Sequence, residues 1–134
     1  MKTDRNIAYV GTLQDLGRPY SMLFIDRVER QLYIFVRLSD GSSNRFLAAD
    51  VSPHEVESYM SEDIGLVSIL NSNPCRFATI DGDNVSIDNE NLRDFIPTDR
   101  MIRMNMFDPE LCDDDVWLEV FLKRLNSNQP IEMA

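Results

Sequence analysis

The sequence predicts an α+β domain: an antiparallel meander of about six or seven strands, two short helices, and a longer C-terminal helix packed on one sheet face. Three observations lead there. Short β-prone apolar runs separated by turn residues fill the first half; a helix start, Ser52-Pro53-His54-Glu55, follows them; and the longest helical periodicity lies between Pro109 and Leu125.

In chain order, Ile7 to Leu13 reads as a strand ended by the turn Leu16-Gly17-Arg18-Pro19. Tyr20 to Val28 and Gln31 to Leu38 follow, with Glu29-Arg30 at a hairpin tip. Asp40-Gly41-Ser42-Ser43-Asn44 is a loop, and Arg45 to Val51 is the next strand. The second and third strands lack a polar face. Tyr20, Met22 and Phe24 oppose Leu23 and Ile25; Leu32, Ile34, Val36 and Leu38 oppose Tyr33 and Phe35. A sheet with one wet side alternates apolar with polar, so both faces are expected to be covered near the centre, by helices, by sheet curvature or by a partner.

Ser52 can cap a helix, Pro53 suits its first position, and Glu55 completes a capping box, with the helix ending near Met60. Asp63 is the candidate cap for a second helix through Ile64, Val67, Ser68 and Leu70, stopped at Asn73-Pro74. Arg76 to Ile80 and Val85 to Ile87 flank a hairpin turn, Asp81-Gly82-Asp83-Asn84. Leu92 to Ile96 reads as a helical turn before Pro97. Met101 to Phe107 alternates as a half-buried strand, with Ile102, Met104 and Met106 on one face. From Pro109 to Leu125, Leu111, Trp117, Leu118, Phe121, Leu122 and Leu125 gather on one helical face. Asp113, Asp114 and Asp115 near the start and Lys123 and Arg124 near the end suit the helix dipole. Residues 126–134 are expected to form a loose tail.

The 134 residues suit one domain. No apolar run approaches the ~20 residues of a membrane span, no secretory signal opens the chain, and Cys75 and Cys112 match no zinc or redox spacing. A cytoplasmic protein with reduced thiols is expected. Its net charge of −10 is lopsided. Residues 1–37 carry six Lys/Arg against four Asp/Glu, whereas Asp50 to Leu92 holds nine carboxylates and one cation, Arg76. Such self-repulsion opposes compaction and is compensated by solubility or by a basic partner.

Motifs for chemistry are sparse. Asp81-Gly82-Asp83-Asn84-Val85-Ser86 departs from a calcium loop at Val85, at Ser86 in the glycine position and at Leu92 in the closing position. Consecutive Asp113, Asp114 and Asp115 point in different directions along a helix. His54 is the only histidine, and no nucleophile elbow, phosphate loop or HExxH is present. A catalytic, cofactor or metal role is therefore expected for none of these residues. Arginines are dispersed, and the overall field repels nucleic acid. Cys112, Val116 and Val120 form a second, narrow stripe on the C-terminal helix, flanked by Asp113, Glu119 and Lys123. It marks either a helix buried on two sides or a contact surface for a second copy or another protein.

The order Leu16-Gly17-Arg18-Pro19, Leu23-Phe24, the paired strands and Ser52-Pro53-His54-Glu55 resembles a family of uncharacterised bacterial domains over about residues 10 to 107. In that family a Gly-Pro turn precedes a strand meander, and a Ser-initiated helix leads to a short second one. The resemblance implies an α+β fold and carries no activity.

The expected function is a small acidic, non-enzymatic protein-binding domain, an inhibitor of the toxin-immunity or phage anti-defence kind that docks on a basic partner. The partner-binding candidates are Asp50, Glu55, Glu57, Glu62, Asp63, Asp81, Asp83, Asp113, Val116, Glu119 and Val120. The alternatives are a small carboxylate-based enzyme or metal- or ligand-binding regulatory domain, and an obligate homo-oligomeric structural subunit, for which the partner is a second copy in a homodimer.

Overall fold

The computed structural model describes residues 2–3, 6–38, 44–92, 96–112 and 115–127. An α+β architecture is observed. Seven antiparallel strands, β1 (Lys2–Thr3), β2 (Ile7–Asp15), β3 (Pro19–Asp26), β4 (Gln31–Arg37), β5 (Arg45–Val51), β6 (Cys75–Asp81) and β7 (Asn84–Ile87), form one sheet in the order β1-β7-β6-β5-β4-β3-β2. Helices α1 (Pro53–Met60) and α2 (Leu66–Ser72) join β5 to β6; α3 (Asp99–Arg103), a 3-10 turn (Pro109–Leu111) and α4 (Asp115–Asn126) follow β7.

The sheet curls, and chain length requires it. Strands β1 and β2 occupy opposite edges, yet only three residues separate Thr3 from Ile7. Four steps of extended chain reach at most ~14 Å. Six flat inter-strand spacings would need ~29 Å.

The curl explains why β3 and β4 have no polar face. Met22, Phe24, Tyr33, Phe35, Phe46, Ala48, Ala78, Val85 and Ile87 form one core cluster on the inner face, packed with Ile7 and Ile80. Phe24 stacks on Phe35 with centroids 4.3 Å apart, and Phe35 lies 6.0 Å from Phe46. Across the ladder, Phe35 pairs with Ala48 and Phe46 with Ala78. These small partners leave room for the rings in a tight curl. The outer face holds the larger core, with Leu23, Ile25, Ile34 and Leu47 packed against Val56, Tyr59, Leu66, Ile69, Leu118 and Leu122 from the helices. Helices cover one face and curvature covers the other.

Helix α1 starts as expected: Glu55 N donates to Ser52 Oγ at 3.1 Å, and Ser52 N donates to Glu55 Oε1 at 3.0 Å. The β6–β7 turn is also a plain hairpin, with Gly82 at φ 61.

Several expectations are corrected. The alternating run Met101 to Phe107 is not a strand: Thr98 caps α3, Met101 is buried, and Ile102 and Met106 are exposed. The seventh strand is instead β1, at the N-terminus. The cap position of α2 is Gly65, not Asp63, and the first amides of the helix, Leu66 N and Val67 N, are bonded by Asn105. The stretch from Pro109 is a 3-10 turn that ends at Cys112, and α4 begins at Asp115. Strand β3 ends at Asp26, whose carboxylate binds the following turn. The helix expected over Leu92 to Ile96 falls on residues 93–95, and Asp113, Asp114 and most of the tail likewise lie outside the described residues.

Candidate functional site

Two concave sites stand out, and the first is the mouth of the curled sheet. A cavity of about 240 Å³ is lined by Ile7, Asp26, Glu29, Gln31, Tyr33, Asp50, Arg76 and Ile87. Every strand from β2 to β7 contributes to it except through Glu29, which sits on the β3–β4 turn. The lining follows from strand parity: Asp26 continues the inward series Met22 and Phe24, Tyr33 precedes Phe35, and Asp50 follows Phe46 and Ala48.

Electrostatics at the mouth are unbalanced. Arg76 Nη2 bonds Asp50 Oδ1 at 2.9 Å, with both side chains partly exposed. The Arg76 guanidinium carbon lies 5.8 Å from the centre of the Tyr33 ring, and its Nε is buried with no partner among the described residues. Asp26, only 5% exposed, accepts from the amides of Val28 at 2.9 Å and Glu29 at 3.1 Å through Oδ1. Gln31 Nε2 donates to the carbonyls of Leu32 and Val51, which fixes the rim of β4. Burial, and then the nearby Asp50 charge, push the Tyr33 phenol above its ordinary pKa, so it stays a neutral donor.

The second site is a groove of about 330 Å³ between α1 and α4, lined by Glu57, Met60, Ser61, Glu119, Leu122 and Lys123. Helix α4 is held by Leu118, Phe121, Leu122 and Leu125 in the outer core, with Trp117 stacked on Phe121 at 5.2 Å. Its far end is tied down by Arg30 Nη2 donating to Leu125 O and by Asn126 donating to Glu57. Val116 and Val120 are 71% and 47% exposed, opposite the core stripe at about 100° per residue. A helix buried on two sides is thus not what forms. Cys112 is buried apart from the valines, and its thiol donates to Thr12 O.

The acidic candidates do not share one face. Asp50 pairs with Arg76 at the mouth, and Glu55 is used by the α1 cap and by Asn73 Nδ2 at 2.7 Å. Glu57 and Glu119 meet in the groove, while Glu62 and Asp63 are exposed in the turn that ends α1. Asp81 and Asp83 are exposed on the β6–β7 hairpin, away from those helices in the topology. Asp113 lies outside the described residues. His54 is exposed in the first turn of α1.

Sequence reading missed Asp26, Glu29, Gln31 and Tyr33 as a group. One signal was present: Asp26 is a carboxylate at an inward position of a strand that is otherwise apolar on that side. The closure that brings β2 and β7 around it was not visible. No family model, curated protein or solved structure matches this chain. No described helix is long and apolar enough to cross a membrane.

Proposed function

We propose that the protein is a non-enzymatic binding module that docks a basic protein partner on the α1–α4 face. Inhibition of that partner, in the manner of a toxin-immunity or anti-defence protein, is the role such docking would serve. One observation carries the reading: two valines one turn apart stand exposed on α4 beside a groove whose walls bear Glu57 and Glu119. Apolar anchors supply the area that association buries, and the carboxylates steer a cationic surface and select against an anionic one. Glu62 and Asp63 extend the negative charge past the end of α1, while Lys123 fixes the orientation in which a mixed-charge segment can lie.

The test is a selection of random peptides against the wild-type chain, counter-selected on the Val116→Asp/Val120→Asp double variant. Both positions are exposed, so the variant should keep its fold. The expected binders are rich in Lys and Arg beside apolar residues, and their affinity drops at least tenfold between about 0.05 and about 0.5 M salt. Binders that are uncharged, salt-insensitive or equally tight on the double variant would exclude this surface.

A further inference from the structure

The exposed face of α4 can be covered by this chain itself. Taking the α1–α4 face as the docking surface, a reading on which this inference rests, we propose that a second copy occupies it when the basic partner is absent. The second copy lays its own α4 antiparallel across Val116 and Val120, so self-association and partner docking exclude each other.

Charge order along the helix selects this occupant. The chain carries a net charge of −10, which in general repels a copy of itself. Around the two exposed valines the exposed charged residues of α4 are instead one acid and one base, Glu119 and Lys123. Among the described residues neither of them forms an ion pair. Asp115, half-buried, precedes Val116, so negative charge gathers in the first part of this face and positive charge in the last turn. An antiparallel copy reverses that order and sets acid against base. A parallel copy would set like charges together.

A two-fold axis level with the midpoint of Glu119 and Val120 gives the register. Val116 then stands level with Lys123 of the second copy, because the two positions lie equally far on either side of the axis. The lysine stem covers Val116, and its ammonium reaches Asp115 and Glu119, which stand ~1.5 and ~4.5 Å away along the helix. At about 100° per residue Asp115, Glu119 and Lys123 all lie towards one side of the valine stripe, and the two-fold brings that side of each copy together. The valines of both copies meet at the centre, and each charge pairing is made twice. One helix from each copy buries less than the ~1,200 Å² at which standard interfaces begin, so the pair exchanges and a partner can displace it.

Sedimentation velocity of the full chain over a concentration series tests this. Wild type should pass from monomer towards dimer between about 10 µM and about 1 mM, the range of a small isologous contact. Val116→Asp/Val120→Asp should remain monomeric. If that variant does not fold, Lys123→Glu, at an exposed position, carries the test with self-association weakened about tenfold, since the change acts twice. Adding Glu119→Lys to Lys123→Glu should recover at least about threefold of that loss, because opposite charges again face each other across the axis. A Lys- and Arg-rich peptide selected on the α4 face should return wild type to monomer. A wild type that is monomeric at about 1 mM, a dimer unmoved by these variants, or a dimer that persists with the peptide bound would overturn the proposal. If the variants behave as stated and the selection yields no such peptide, the docking role of the face fails while its cover by a second copy stands.

Discussion

Asn105 caps a helix that begins 39 positions earlier in the chain: its Oδ1 accepts from Val67 N at 2.8 Å while its carbonyl accepts from Leu66 N at 2.7 Å. Gly65, the residue before that helix, makes the approach possible. A Cβ on Gly65 would stand 2.6 Å from Asn105 Cγ, so any side chain there displaces the cap. The link ties the segment after α3 to α2, and through Gln14 Nε2 donating to Met106 O it reaches the edge strand β2.

Asn105→Ala is expected to lower stability by about 1 kcal/mol, the usual cost of a lost cap. Gly65→Ala should cost at least as much, but clearly less in an Asn105→Ala background, because the clash partner is gone. Urea unfolding of the two single variants and the double variant measures the coupling. Additive effects would refute the relationship.

Two tyrosines predict how the fold responds to alkali. Tyr20 and Tyr59 are buried, and neither hydroxyl has a hydrogen-bond partner among the described residues. Burial pushes the Tyr20 phenol from 10.0 up to about 12 and raises that of Tyr59 further still. The native state therefore keeps protons that the unfolded chain releases above pH 10. Stability is fully present below that pH and falls as pH rises towards 12, through the raised native values. Tyr20→Phe and Tyr59→Phe should each flatten this decline. At neutral pH each should cost less than ~1 kcal/mol or stabilise, since an unsatisfied hydroxyl is removed. Unfolding midpoints at neutral and alkaline pH check both statements.

Gly11 marks where α4 seats on β2. A Cβ there would lie 3.0 Å from Leu118 Cδ2, and Leu118 is fully buried. Gly11→Ala calls for a small shift of the leucine end. Gly11→Val overfills the contact and is expected to cost about 1–3 kcal/mol. The penalty should shrink when Leu118 is also made Ala, since space opens where the valine lands. A penalty for Gly11→Val that is the same in both backgrounds would place its origin in the strand rather than in the helix seat.

Local signals were legible wherever a few neighbouring residues settled the matter. The Ser52–Glu55 capping box and the Asp81–Asn84 hairpin form as their residues require, because their bonds close within four positions. The lack of a polar face on β3 and β4 announced two covered sides. Misreadings arose where a distant group intervened. Alternation over Met101 to Phe107 mimics a strand, but Thr98 caps a turn of helix there, and only its two ends, Met101 and Phe107, are buried. Asp63 looked like a cap, while the bond to Val67 N comes from Asn105.

By itself, the amino-acid order determined the strands and helices between Ile7 and Ile87, though not β1, together with the apolar stripe of α4 and the excess of carboxylates, since each depends on periodicity, capping or composition. Tertiary structure decided which covering each sheet face received and where the acids went. Curling the sheet so that β1 reaches β7 buried Phe24, Phe35 and Phe46 inside it and drew Asp26, Asp50 and Arg76 to one mouth. It also dispersed the remaining acids among a cap, a groove and a hairpin tip. Sheet closure is a long-range property: it depends on how far a three-residue link can stretch and on small residues facing large ones across the ladder, and neither is written in any single stretch of chain.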